Sequence, residues 1–182
     1  MYEKLTTFLP MLDLEKFGEI LVDKENDGSP EHPIHWPVII FDEKVNAFVS
    51  AVYDFMDTHE DMGLNHYDII LNEHGLAWDD EVMEKADVSA LDGSVVMALI
   101  MGAIRMERFC DGALLDFFER GCIQKWLQRL KQIDIESAGR DFIRIVITSC
   151  SGYTIAEDAY GAQQSDKTVS PVYPCRCRSM QW

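Results

Sequence analysis

The chain has 182 residues, of which 47% are hydrophobic and 26% charged, a balance ordinary for a soluble fold. A chain of this length buries roughly 70% of its unfolded surface, so it needs no disulfide or metal to hold it together. Its net charge of −16, from 32 acids against 16 bases, argues against direct binding to nucleic acid or an anionic membrane and favours encounter with basic partners.

The charge is lopsided. Residues 1–104 carry 22 acids and five bases, whereas residues 105–182 carry ten acids and 11 bases. Nearly all the negative excess therefore sits in the first part, as on a surface that docks into a basic groove made for nucleic acid. No apolar run reaches the roughly 18 to 20 residues that span a bilayer; the longest, residues 95–104, stops at Arg105. The N-terminal Met1-Tyr2-Glu3-Lys4 lacks the features of a secretion signal. An odd set of cysteines (Cys110, Cys122, Cys150, Cys175 and Cys177) without such a signal implies reduced thiols and a cytoplasmic location.

Taken along the chain, Leu5, Phe8, Leu9, Leu12 and Phe17 sit near helical spacing broken by Pro10, which predicts one or two short helical turns. Residues 18–23 and 36–41 are short and rich in branched side chains, and a turn-rich loop at 24–30 joins them, so they read as a small hairpin. Asp42 caps an amphipathic helix with an apolar stripe of Val45, Phe48, Val49, Val52 and Met56, ended by Gly63. A helix over 67–73 stopped by Gly75 follows, and then a very acidic helix over 79–86. Ser89 or Asp92 begins the most apolar segment, Val95 to Met106, expected at the centre of the core. Two more helices, 112–120 and 122–133, meet at Gly121, whose freedom to adopt positive φ suits a helix end. Phe109 is expected in the core. Beyond Ser137, the alternation of Ile143, Ile145 and Ile147 predicts a strand over 142–148, with 153–156 as its partner. Residues 171–182 read as an extended, mobile tail.

No constellation of catalytic residues stands out. The chain lacks a Gly-x-Ser-x-Gly elbow and a phosphate loop ending in Gly-Lys-Ser/Thr. His59, His66 and His74, with Asp68 and Glu73 nearby, could converge on a metal, as in a hydrolase, but no pair has the helical spacing of a zinc site. Cys175 and Cys177 are one residue apart, without the two-residue spacer of redox and zinc pairs. No cofactor, metal or catalytic residue is therefore expected. The two helices at Gly121 could form a helix-turn-helix, and Lys125, Arg129 and Arg144 are candidate nucleic-acid contacts. Asp111, Asp116 and Glu119 would face phosphates badly, and an ordinary solvated helix face is the simpler reading.

The run Arg105-Met106-Glu107-Arg108-Phe109-Cys110-Asp111-Gly112-Ala113-Leu114-Leu115 resembles a motif of a bacterial and phage domain family of unknown function. The likeness continues through Phe118 to Ile123 and Trp126 to Lys131, fits the strand at 37–41, and covers roughly residues 8–133. It implies a small, mostly helical fold and no catalytic residues. In size and acidity the chain is also similar to small anti-CRISPR proteins of gut-bacterial mobile elements, which inhibit type II CRISPR effector nucleases.

Together these readings predict an α+β fold of about six helices with a small sheet or hairpin. The core domain is expected over 1–135, a strand-containing extension over 136–170 and the tail over 171–182. The function expected is that of a non-enzymatic inhibitor binding a type II CRISPR effector nuclease through Asp57, Glu60, Asp61, Asp79, Asp80, Glu81, Glu84 and Asp87. The alternatives are a housekeeping interaction module and, further off, a metal-dependent hydrolase.

Overall fold

The computed structural model describes residues 1–13, 16–22, 29–32 and 38–150, with 13 and 140–150 as backbone alone. In chain order it has α1 (Glu3–Thr6), β1 (Gly18–Leu21), β2 (Val38–Phe41), α2 (Glu43–Thr58), α3 (Tyr67–Glu73), α4 (Asp80–Lys85), α5 (Gly93–Met106), α6 (Ala113–Glu119) and α7 (Cys122–Cys150). The fold is α+β and mostly helical, with one two-stranded antiparallel sheet among the described residues. None of the described helices is long and apolar enough to cross a membrane.

Helix α5 explains the arrangement. Of its 14 residues only Ser94 and Arg105 escape burial. A helix apolar on every side must be surrounded, and both α3 and α6 pack on it. Asp92 starts it by accepting hydrogen bonds from the Ser94 and Val95 N–H groups at 2.9 and 3.0 Å. Those are two of the donors that a helix N-terminus otherwise leaves unpaired.

Helix α2 covers a second side of the core with Val45, Phe48, Val52 and Phe55, while Val49 and Met56 are only half-buried. Asp42 caps it through the Lys44 N–H at 2.8 Å. The helix stops at Thr58, before Gly63; that glycine instead closes the 3-10 turn Glu60–Met62 in the left-handed region. Aromatic rings join the N-terminal elements to the bundle. Phe48 meets Phe8 and Phe118 edge-on at 5.6 and 5.7 Å, and Phe17 stacks on Phe118 at 5.2 Å.

The hairpin pairs Gly18 with Phe41 and Leu21 with Val38. Successive residues of a strand point to opposite faces. Ile39 and Phe41 accordingly pack on the core, whereas Leu21, Val38 and Ile40 are exposed. Of the connecting loop expected at 24–30, residues 24–28 lie outside the described residues.

Three expectations fail. Residues 142–148 belong to α7 and not to a strand. Ile143 and Ile147 are four apart, a spacing that helix and strand share, and a helix already formed extends at one hydrogen bond per residue where no proline stops it. The second failure is Phe109, which is 69% exposed. Helix α5 ends in a series of turns after Met106, and the chain swings its next residues outward. The third concerns the cysteines: Cys122 is a buried free thiol, but Cys110 is half-buried and disulfide-bonded.

The chain divides into two compact units, Met1–Asp134 and Ile135–Trp182. The first holds the core. The described part of the second is the continuation of α7, where a strand-containing extension was expected. The expected strand partner at 153–156 and the tail at 171–182 lie outside the described residues.

Candidate functional site

Residues 45–84 contain ten acids and neither lysine nor arginine. The structure shows what each carboxylate of this stretch does locally. At the end of α2, Asp57 occupies the last turn, with no basic residue there to offset the negative end of the helix dipole. Glu60 and Asp61 follow in the next 3-10 turn, and all three are exposed. No hydrogen bond or ion pair engages their side chains among the described residues.

The carboxylates around α4 are engaged more closely. Asp79 caps the helix through the Val82 N–H at 3.1 Å. Glu81 pairs with Lys85 across one turn at 3.2 Å. Glu84 meets Arg120 at 2.7 Å, and the same guanidinium reaches Asp116 at 3.2 Å. Asp87 accepts hydrogen bonds from the Ser89 hydroxyl and N–H at 2.7 and 3.0 Å, and these hold its carboxyl below the usual carboxylate range. Asp80, in the first turn, forms none of the ion pairs among the described residues.

The expected patch is therefore two groups with different local roles. Asp57, Glu60 and Asp61 are exposed and without an ion pair among the described residues, whereas Asp80 is half-buried and its charge acts on Arg120 without a direct pair. Asp79, Glu81, Glu84 and Asp87 have partners in the fold, with the pairs of Glu81 and Glu84 partly exposed. Asp54, Asp68 and Glu73 are exposed acids of the same stretch that the sequence reading left out of the site. The signal that finds them is the absence of any base between Lys44 and Lys85.

The histidines do not come together. Among the described residues no group of three His, Cys, Asp or Glu is placed to hold a metal ion. The His59 ring stacks on Phe55 with centroids 4.0 Å apart, and its Nδ1 lies 2.9 Å from the Phe55 carbonyl. His74 Nδ1 lies 2.9 Å from the Ile70 carbonyl, so both rings are tied to the helices that precede them.

The basic candidates are engaged internally. Lys125 donates its ammonium to the Ala86 carbonyl, and Arg129 Nε donates to the Leu91 carbonyl at 3.1 Å. Both clamp the linker between α4 and α5 onto α7. Trp126 and Leu127 of the suggested recognition helix are fully buried. Arg144 lies on the backbone of α7, and its side chain is outside the described residues.

Neither the curated proteins nor the solved structures contain a match to this sequence. The model of a family of unknown function, DUF6508, matches residues 2–136, which is most of the chain and all of its first compact unit but Met1, and the protein belongs to that family.

Proposed function

We propose that this is a non-enzymatic binding protein that presents an acidic face to a basic, nucleic-acid-handling partner. The partner we put first is a type II CRISPR effector nuclease, whose DNA binding or cleavage the protein would block. The observation that carries the reading is the stretch from 45 to 84, with ten acids and neither lysine nor arginine, and with Asp57, Glu60, Asp61 and Asp80 in no ion pair among the described residues. Uncompensated carboxylates on a folded surface repel one another, and they gain most when a cationic surface covers them. A CRISPR effector holds its guide–target duplex in a positively charged channel, which fits such a face. The resemblance in size and acidity to anti-CRISPR proteins selects this partner among basic proteins. Lys125 and Arg129 already donate to backbone carbonyls, which favours contact with the nuclease over contact with DNA.

The test is cleavage of target DNA by purified type II effectors with guide RNA, with and without the protein, over a salt series. Inhibition should weaken as salt screens the contact. The variant Asp57→Lys/Glu60→Lys/Asp61→Lys/Asp80→Lys changes no residue with a local ion pair, so it should fold while inhibiting at least tenfold more weakly. Full inhibition by that variant would discard the acidic face as the binding surface. No inhibition of any effector would discard the CRISPR assignment and favour the housekeeping interaction module.

A further inference from the structure

Three basic residues occur between residues 45 and 119. Lys85 pairs with Glu81, whereas Arg105 and Arg108 take part in none of the ion pairs among the described residues. In a chain so rich in acids, two cations without a carboxylate partner among the described residues are conspicuous, and they lie beside a group of aromatic rings. Arg105 sits over the Tyr53 ring at 5.4 Å from its centroid. Tyr67 meets Trp78 edge-on at 5.3 Å, and Trp78 meets Phe109 edge-on at 5.8 Å. Arg105 and Arg108 are both near enough to Tyr67 to act on its hydroxyl.

The rings are held in place from below. Trp78 Nε1 donates to the Gly102 carbonyl of the central helix at 2.9 Å. The turn that carries Phe109 is closed by Glu107, whose carboxylate accepts from the Gly112 and Leu114 N–H groups at 3.0 and 2.9 Å. Gly112 has φ 89°, which a side chain at that position would resist. Phe109 is thus an exposed aromatic presented on an ordered turn, so a partner would lose little entropy in covering it. Large apolar groups with arginine beside them are the composition of binding hot spots.

We propose that the turn after α5, with Phe109 raised over Trp78 and flanked by Arg105 and Arg108, is a docking surface for an acidic protein segment bearing an apolar or aromatic anchor residue. Charge complementarity selects the occupant: a guanidinium takes a carboxylate through paired hydrogen bonds. Asp68 lies near Tyr67 and Asp111 near Glu107, so the two guanidinium groups suit a segment with one or two carboxylates, and an oligonucleotide charged at every phosphate meets more repulsion there. Its cations are Arg105 and Arg108, neither of which belongs to the proposed acidic face, so the variants that test the two surfaces are separate.

The experiment measures binding of the full chain to an array of eight-residue peptides with Phe, Trp, Leu or Pro at one position and acidic, neutral or basic flanks, alongside an oligothymidylate. The acidic set should be retained preferentially. Arg108→Glu should weaken that binding at least tenfold and shift preference to the basic set. Phe109→Ala should weaken it about tenfold with an unchanged melting temperature, because the residue is exposed. Equal binding of acidic and basic sets, acidic binding untouched by Arg108→Glu, or stronger retention of the oligothymidylate would each overturn the proposal.

Discussion

Phe109 and Glu107 show how neighbouring residues of one motif divide their work. Apolar character put Phe109 in the core in the sequence reading, but the chain turns outward after Met106 and leaves it 69% exposed. Its truncation to alanine should then change stability by no more than about 0.5 kcal/mol. Trp126→Ala, at a fully buried position, should cost about 3 to 5 kcal/mol. Chemical denaturation of the two variants side by side checks both values, and a large loss at Phe109 would contradict its placement. Glu107 is the residue that holds the turn. Burial pushes its carboxyl above the usual range, and Asp111 and Asp116 add to this, while the N–H groups of Gly112 and Leu114 pull the other way. Glu107→Gln keeps one acceptor of the two and should lose about 1 kcal/mol. Because the folded pKa is raised, the protonated form is favoured in the native state. The contribution of this ionisation is full below the unfolded value of 4.5 and falls as pH rises through the raised pKa. The stability advantage over Glu107→Gln should therefore shrink from pH 4 upward, which urea midpoints at several pH values would show.

At the scale of elements, the start of α5 concentrates several constraints. Burial would raise the Asp92 carboxyl, but the hydrogen bonds from Val95 and Ser94 outweigh it and hold the pKa below the usual 3.8. Asp92→Ala should cost about 1 to 2 kcal/mol at neutral pH. A depressed pKa gives stability that is present above 3.8 and is lost as pH falls through the lower, folded value. The difference between wild type and Asp92→Ala should thus narrow in acid, a trend opposite to that at Glu107. Gly93 is next in line. In an open helical position, Gly→Ala would stabilise by up to about 1 kcal/mol. Here a Cβ would run into the ring and hydroxyl of Tyr2. The Tyr2 ring has no open space to retreat into, because it is buried and packs on Phe55 with ring centroids 5.5 Å apart, while its backbone is anchored by the Asp134 carboxylate at 2.8 Å. Gly93→Ala should therefore lower stability by about 1 to 3 kcal/mol, and a raised melting temperature would refute that packing. Helix starts and stripes of this kind were legible in advance, since a cap and a period are local properties. Asp42, the acidic helix near 80 and the segment from Val95 all fall where the sequence reading put them. The strand expected at 142–148 was misread because Ile143 and Ile147, four apart, fit a helical spacing too, and the continuation of α7 is set by what precedes it.

For the whole molecule, the net charge of −16 works against compactness. Screening falls from a range of about 10 Å at 0.1 M salt to about 3 Å at 1 M. Adding sodium chloride across that interval should raise the melting temperature by roughly 3 to 6 °C, equivalent to about 1 to 2 kcal/mol for a domain of this size. A melting temperature that stays level would mean that the carboxylates of residues 45–84 do not repel one another in the native state. Composition and periodicity by themselves determined the acidity of the first part, the α+β class, the central place of α5 and most helix boundaries, because each depends on residues close together in the sequence. The tertiary structure alone decided which carboxylates have partners among the described residues. Arg120 reaches Glu84 across 36 positions, and Lys125 and Arg129 reach carbonyls almost 40 residues away. It also decided that Arg105 and Arg108 stand with Tyr53, Tyr67, Trp78 and Phe109 at one surface, since rings so distant in the chain meet only when helices pack.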